Sequence, residues 1–189
     1  MLIPWSFIRT WTCFACGRCC KKYVVPLSNE EAERLVRKYG KFVVEKIGRR
    51  YFIRKVNGRC IFLKNGLCMI QEDKPKACKL WPFYIYKRPR KSSEAKYAYI
   101  EYKSEEFYVY VDTFCQGINR GTTSIKLAVL EAIRIYLGEN IRQQYTTSPF
   151  PQTQTRKSSL LVSYISRDNP ETTVAVSYTH LTLPTTERV

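Results

Sequence analysis

The stretch Cys13-Phe-Ala-Cys16-Gly-Arg-Cys19-Cys20 decides the fold of this chain. Its two-residue spacings let one backbone loop aim successive sulfur atoms at a shared centre, as ferredoxin and zinc-knuckle loops do. The remaining four of the eight cysteines are Cys60, Cys68, Cys78 and Cys115. The N-terminal apolar run is too short for a signal peptide, and thiols gathered in such a chain are more often metal ligands than disulfide partners. All eight cysteines are therefore candidate metal ligands.

Histidine is nearly absent, because His180 is the single one in the chain. Without imidazole ligands, a Cys2His2 finger, a Rieske centre and a His-rich catalytic zinc site are excluded. A histidine general base is excluded as well, which argues against Cys–His and Ser–His–Asp nucleophilic catalysis. Thiolates must supply most of the coordination.

The adjacent pair Cys19 and Cys20 predicts that one of the two serves a second metal site or a second iron atom, because neighbouring side chains rarely point at one ion. One or two centres are therefore expected. In two-cluster ferredoxins the fourth cysteine of a run ligates the other cluster. We assign Cys13, Cys16, Cys19 and one distant thiol to a first centre, and Cys20 with the remaining distant thiols to a second. The C-x2-C-x2-C run favours a four-iron, four-sulfide (4Fe-4S) cluster, whereas separated C-x2-C knuckles are typical of zinc, and both metals stay open.

Two alternatives to metal ligation also stay open. Disulfides occur inside the cells of hyperthermophiles, so a disulfide framework is the first. The second concerns Cys115 alone, which could be a small buried hydrophobic residue.

Local signals around the cysteines predict a small, metal-stabilised α+β domain with antiparallel hairpins, two main helices and short cysteine-bearing loops. Ser28-Asn-Glu-Glu31 is a capping box that starts a helix ended by Gly40. Asn57-Gly58 and Asn65-Gly66 predict tight turns that place Cys60 and Cys68 on neighbouring strands or turns. A short helix or turn is expected around Cys78, strands over 51–56, 59–63, 83–87, 96–103 and 107–112, and a helix over 123–137.

The domain is predicted to cover residues 5–145, followed by a linker or frayed tail over 146–175 that is rich in Thr, Gln, Ser and Pro. Residues 176–189 look like the translation of a sequencing adapter and are excluded from the interpretation of the fold. The native chain is then expected to continue differently beyond that point.

The charge of the chain has two interpretations, a solvated surface and an anionic partner. Lys and Arg number 32 against 16 Asp and Glu, which gives a formal net charge of +16. Basic clusters such as Lys87-Arg-Pro-Arg-Lys91, next to tyrosine-rich strands, allow nucleic-acid binding by phosphate contacts and stacking. A solvated surface is the simpler interpretation of most of these charges. We expect a cytoplasmic protein that does not enter a membrane and that has an unknown protein or redox partner.

These motifs together resemble the YkgJ-like cysteine-cluster family, which is described as a zinc- or iron-chelating domain and named for its CxxCxxCC motif. Flagellin lysine-N-methylases are similar over the same cluster. Lys74 stands where that family usually has Arg, and Trp81 where it has Phe. The resemblance covers residues 11 to 83, with Cys115-Gln-Gly-Ile as an extension, and is carried by Cys13 to Cys20, Leu27-Ser28 with Glu30 and Glu31, Gly58-Arg59-Cys60-Ile-Phe-Leu63, Cys68, and Lys74-Pro75-Lys76-Ala77-Cys78-Lys79-Leu80-Trp81-Pro82.

Three classes of function follow. The first is a metal-binding cysteine-cluster protein whose iron–sulfur or zinc centre is structural or transfers electrons. The second, implied by the resemblance, is a metal-dependent protein-modifying enzyme of the lysine-N-methylase type. The chain has no GxGxxG loop, no P-loop and no C-x3-C-x2-C radical motif, which disfavours this class. The third is a basic, tyrosine-rich nucleic-acid-binding module.

Overall fold

Short strands and helices alternate along the chain in the computed structural model, which describes residues 1–147. Within this range there are eleven strands: β1 (Leu2–Pro4), β2 (Pro26–Leu27), β3 (Val44–Ile47), β4 (Arg50–Ile53), β5 (Lys55–Val56), β6 (Arg59–Cys60), β7 (Leu63–Lys64), β8 (Leu67–Cys68), β9 (Phe83–Tyr86), β10 (Tyr99–Tyr102) and β11 (Glu105–Asp112). The five helices are α1 (Arg18–Lys22), α2 (Asn29–Tyr39), α3 (Lys76–Leu80), α4 (Ala95–Ala98) and α5 (Ile125–Tyr136). The predicted α+β class is confirmed.

The largest sheet is built around β11, which is antiparallel to all of its neighbours. β9 pairs with Tyr108 to Val111 along one edge of β11. β10 pairs with the first half of β11 and β1 with the second half, so these two strands share the other edge. Phe107, Val109 and Val111 are fully buried on this central strand, and α5 covers the sheet and completes the first hydrophobic core.

A second core forms around α2 and the antiparallel sheet of β2, β4 and β3. The capping box is present as predicted, with Ser28 accepting from the backbone of Glu31 and Glu31 accepting from the backbone of Ser28. The helix ends at Gly40, whose φ of 93° lies in the region that favours glycine. Ala32 and Leu35 face inward from this helix. The hairpins β5–β6 and β7–β8 follow from this core and carry Cys60 and Cys68.

Three predicted strands have different boundaries. The segment 96–103 begins as the short helix α4 and becomes a strand only at Tyr99, because Lys91 to Glu94 first form a helical turn that leads into α4. The predicted strand 51–56 is divided at Arg54 into β4 and β5, which pair with different partners. Its predicted return strand, 59–63, contributes one end to β6 and the other to β7. The two tight turns and the helix over 123–137 are confirmed, the helix as Ile125–Tyr136.

The ends of the described range also pack against the fold. β1 joins the main sheet, and Thr146 is buried. The predicted linker lies outside the described residues from 148 onward, as does the whole adapter-like tail. No helix within residues 1–147 is long and apolar enough to cross a membrane.

A buried carboxylate ties the segment after α5 to that helix. Glu131 is only 6 % exposed. It accepts hydrogen bonds from the backbone N–H groups of Gln144, Tyr145 and Thr146, and from the Thr146 hydroxyl. A carboxylate with several N–H donors satisfies its hydrogen-bonding capacity without a cation, which explains how one acidic residue is tolerated on the inner face of α5.

Replacing this carboxylate should destabilise the fold. In Glu131→Gln the amide NH2 group faces N–H donors, so at least one buried group loses its partner, and the free energy of unfolding should fall by about 1–3 kcal/mol. Urea denaturation of the purified protein measures the change. Glu33→Gln, at an exposed position of α2, is the matched control and should stay within about 0.5 kcal/mol of wild type. Equal stabilities for the two variants would contradict this role of Glu131.

Candidate metal centre

The cysteine loop depends on a glycine for its shape. Gly17 has a φ of 66° and immediately precedes α1. A Cβ atom there would stand 3.0 Å from the Leu63 side chain and 3.2 Å from the carbonyl oxygen of Gly66. The residue must therefore be glycine both for its dihedral angle and for its close approach to the β7–β8 hairpin. This contact brings the loop of Cys13 to Cys20 against the hairpin that carries Cys68.

A second close contact brings Cys115 to the start of the same loop. The backbone N–H of Thr12 donates to the carbonyl of Gly117 at 3.2 Å, and the N–H of Asn119 donates to the carbonyl of Thr10 at 2.8 Å. A Cβ atom on Gly117 would lie 2.0 Å from the Thr12 carbonyl oxygen, which only glycine avoids. The loop that follows β11 is thus fixed beside the residues that precede Cys13.

All eight cysteines line one cavity of about 390 Å³. This volume is roughly thirteen times the ~30 Å³ that one water occupies in the liquid. Its lining is mainly apolar and includes Phe62, Trp81 and Phe114. A wider and more open groove of about 580 Å³ runs along α5, but no cysteine lines it and its carboxylate Glu131 is already satisfied. The cysteine cavity is therefore the candidate functional site.

Packing and electrostatics divide the thiols into two sets. Cys13 and Cys115 contact the core of the main sheet, whereas the core around α2 contains Cys60 and contacts the other three, Cys20, Cys68 and Cys78. Burial is the main reason why the pKa of Cys115 is raised, and the nearby Cys13 and Cys16 add to that rise. Burial likewise raises the pKa of Cys78, with further contributions from Cys68 and Cys20.

Cys19 lies between these two sets. Its sulfur is 4.0 Å from that of Cys20, and this contact, more than burial, raises its pKa. The Cys19 contact lowers the pKa of Cys20, but contact with Cys60 together with burial outweighs it and brings the pKa to about 12. Both thiols are therefore neutral at pH 7 in the metal-free protein.

Several N–H groups point at individual sulfur atoms. The Trp11 indole donates to the sulfur of Cys115 at 3.3 Å, and the backbone N–H of Gly117 also bonds to it. Backbone N–H groups of Ala15 and Ile70 do the same for Cys13 and Cys68. Such donors favour a thiolate over a thiol. Trp11 is 1 % exposed, so its indole N–H needs an acceptor inside the protein, and the Cys115 sulfur is that acceptor.

One ammonium group lies at the cavity. Lys74 lines it and is half-buried. Its charge lowers the pKa of Cys13, Cys19, Cys68 and Cys78, against the larger effects of burial and of thiol contacts that raise these pKa values. No carboxylate of residues 1–147 lies within ion-pair distance of this ammonium. Lys74 is thus an unpaired cation that can balance negative charge on the thiols.

The sulfur atoms are distributed around the cavity wall. In the part of the chain that the structure describes, no three cysteine, histidine or acidic side chains are grouped closely enough to hold one metal ion as they stand. Among the eight thiols Cys16 is exposed, Cys60 is buried and the others are intermediate. All eight are free, with no disulfide among them.

The structure brings together every cysteine that the sequence singled out. Sequence reasoning missed Trp11 and Lys74, which act on the thiols without being ligands. Lys74 was visible only as a departure from the usual Arg of the resembling family. For Trp11, the single available signal was an aromatic residue placed two positions before the first cysteine.

A family model described as "CxxCxxCC: Putative zinc- or iron-chelating domain" matches residues 12–116 of the chain. This range contains all eight cysteines. No curated protein and no solved structure matches the chain. The resemblance to flagellin lysine-N-methylases is not confirmed and stays a prediction.

Metal loading should release protons from the metal-free protein. Burial and thiol contacts raise the pKa of six of these thiols. A thiol that becomes a ligand must lose its proton, so binding tightens as the pH rises. Titration of reduced protein with Zn²⁺ in weakly buffered solution at pH 7 should release about four protons per filled four-thiolate site. A pH indicator follows the release.

A variant with all eight cysteines replaced by serine is the control and should release none. Release of fewer than two protons per bound Zn²⁺ in the wild type would show that thiols are not the main ligands.

Proposed function

Because this chain belongs to the CxxCxxCC family of zinc- or iron-chelating domains, we propose that its cysteine cavity holds iron–sulfur centres with a structural or electron-transfer role. One observation carries the proposal, namely that all eight thiols line the same cavity. They come from separate parts of the chain, so the fold gathers them. Closed sites of four thiolates suit both zinc and iron–sulfur clusters.

The proposed ligand sets follow the division of the thiols between the two cores. The first centre takes Cys13, Cys16, Cys19 and Cys115, and the second takes Cys20, Cys60, Cys68 and Cys78. Cys115 thereby becomes the distant thiol that the first centre needs. Its proximity to Cys13 and Cys16, together with two N–H donors to its sulfur, supports a ligand rather than a small buried hydrophobic residue.

The size of the cavity favours clusters over single ions. A four-iron cluster places its ligands on separate corner atoms, so its thiolates stand farther apart than four thiolates that share one ion. A cavity of about 390 Å³ with sulfur atoms distributed along its wall suits a four-iron cluster. Zinc is the second candidate, since closed sites of four thiolates also suit a tetrahedral zinc ion.

Several groups of this chain suit an electron-transfer centre. When bound, an iron–sulfur cluster exchanges one electron at a time, and hydrogen bonds to its sulfurs and nearby charge set its potential. The Trp11 indole and the Gly117 N–H donate to Cys115, and the ammonium of Lys74 lies at the cavity. Both features stabilise the more negative, reduced state, so they favour a centre that can be reduced within the cell.

The other two classes of function find less support in the described residues. The basic segment proposed for nucleic acid is partly engaged, because Lys87 pairs with Glu105, and the guanidinium of Arg90 lies 5.6 Å from the centre of the Tyr110 ring. Methylase activity stays a prediction that rests on the resemblance alone.

Anaerobic purification tests the iron–sulfur proposal directly. We expect brown protein with about four iron and four acid-labile sulfide per centre. Cys115→Ser and Cys78→Ser each remove a ligand from a different centre, so each should lose about half of the iron and sulfide. Iron, sulfide and zinc analysis with visible spectra provides the measurement. Colourless protein that holds zinc would refute the iron–sulfur proposal, and a soluble, folded variant that keeps the wild-type iron and sulfide content would refute its cysteine as a ligand.

The Trp11 hydrogen bond predicts a change in potential. Trp11→Phe keeps an aromatic ring but removes the N–H donor to Cys115, so the midpoint potential of one centre should become more negative. Spectroelectrochemical titration measures it, and unchanged iron content shows that the centre is intact. Tyr99→Phe, at a partly exposed ring of β10, is the aromatic control and should leave the potential unchanged. An unchanged potential in Trp11→Phe would contradict the assigned role.

A further inference from the structure

Three cations lie on one face of α1, next to the exposed part of the cysteine loop. Arg18, Lys21 and Lys22 are all exposed on this five-residue helix, which also carries Cys19 and Cys20. Cys16, two residues before this helix begins, is the exposed one of the eight thiols. A centre ligated by Cys16 would therefore be nearest to solvent at this face.

The cations of this face have no acidic partner among the residues that the structure describes. No acidic residue occurs before Glu30 in the sequence, and none of the three cations forms an ion pair with a carboxylate of residues 1–147. Lys55 adds to the charge, because its ammonium donates to the backbone carbonyl of Lys21 at 2.7 Å. Like charges held together in this way repel one another, and an anionic partner relieves the repulsion.

One aromatic ring holds two of these cations in place. The guanidinium of Arg18 lies 4.5 Å from the centre of the Phe114 ring, and the ammonium of Lys22 lies 3.9 Å from it. Phe114 directly precedes Cys115 and lines the cavity. The cations are thus fixed next to the proposed first centre, in an orientation set before any partner arrives, which reduces the entropy that binding must overcome.

Exposed apolar groups accompany the charges. Phe14 is 38 % exposed and Val24 is 53 % exposed, and both line the mouth of the cavity. An apolar centre with a charged rim is the usual composition of a protein–protein interface. Electron-transfer complexes bury little area and depend on complementary charge for rapid association.

We propose that Phe14, Val24 and the three α1 cations form the docking surface for an acidic redox protein that exchanges electrons with the centre at Cys16. The electron-transfer part of this assignment rests on the proposed iron–sulfur function. The binding part does not. A protein is favoured over a nucleic acid because the cations are confined to one short helix. The Phe114 ring beside them is already covered by Arg18 and Lys22, so it offers no free surface for a base.

The test compares two charge-reversal variants of the full-length, metal-loaded protein. Lys21→Glu with Lys22→Glu changes the α1 face at two residues that do not line the cavity. Lys46→Glu with Arg49→Glu makes the same change of charge at exposed residues of the β3–β4 hairpin. The probe is a plant-type two-iron ferredoxin with an acidic surface. Its binding is measured by surface plasmon resonance and its reduction of the centre by stopped-flow absorbance.

We expect wild type and the hairpin variant to bind the ferredoxin with an affinity that falls as salt rises. At low salt, the α1 variant should bind the ferredoxin about tenfold more weakly and accept electrons from it about tenfold more slowly. Both differences should shrink at high salt. At high salt, where its own charge is screened, dithionite should reduce all three proteins at equal rates. Equal losses in both variants, or salt-independent binding by wild type, would overturn the docking surface.

Two further outcomes separate the proposals. Binding that depends on Lys21 and Lys22 in a protein that holds zinc would support the docking surface while refuting the iron–sulfur function. A single-stranded oligonucleotide that binds wild type with steep salt dependence and displaces the ferredoxin, but fails to bind the α1 variant, would overturn the choice of an acidic protein as the partner.

Discussion

The structure depends on gathering eight thiols from distant parts of the chain at one cavity. Two close backbone contacts make this possible, one between the cysteine loop and the β7–β8 hairpin at Gly17, and one between Thr12 and Gly117. A Cβ atom at Gly117 would overlap the Thr12 carbonyl oxygen, and at Gly17 the positive φ and the close Leu63 side chain would strain any other residue. The first brings the loop to Cys68, and the second brings it to Cys115. The cavity therefore lies where the two hydrophobic cores meet, and each core contributes its own cysteines to the wall.

Charge balance follows from this arrangement. Two centres with four thiolates each would carry about −2 apiece, whether they hold zinc or a four-iron cluster. Burying such charge without compensation is costly, so N–H donors and a cation are expected nearby. Trp11, Gly117, Ala15 and Ile70 supply the donors, and Lys74 supplies the cation. The high net charge of the chain is therefore partly a property of its centre and not only of its surface.

Local signals predicted much of the fold because they are contained in a few neighbouring residues. The capping box at Ser28 and the turns at Asn57-Gly58 and Asn65-Gly66 each act within four positions, and the structure has all three. The strand predicted over 96–103 was partly wrong, because the preceding helical turn continues into α4, which its alternating tyrosines do not reveal. Pairing between β1 and β11 spans most of the described chain, so no local pattern could predict it.

The candidate site shows the same limit. Thiol spacing singled out the candidate ligands, because a metal centre constrains the kind of residue and its position in a loop. The ligand sets depend on which core each distant cysteine approaches, and this is a tertiary property. Cys115 illustrates the point, since only its position beside Trp11 and Cys13 distinguishes a ligand from a small hydrophobic residue.

The position of the cavity links its occupant to the stability of the fold. Its walls come from both hydrophobic cores. The strands that carry Cys60 and Cys68 are only two residues long, and structural zinc sites in zinc-finger peptides contribute roughly 10 kcal/mol or more to folding. A metal centre held by thiols from both cores would link them through metal–sulfur bonds, and its binding energy would then be part of the energy that folds the chain.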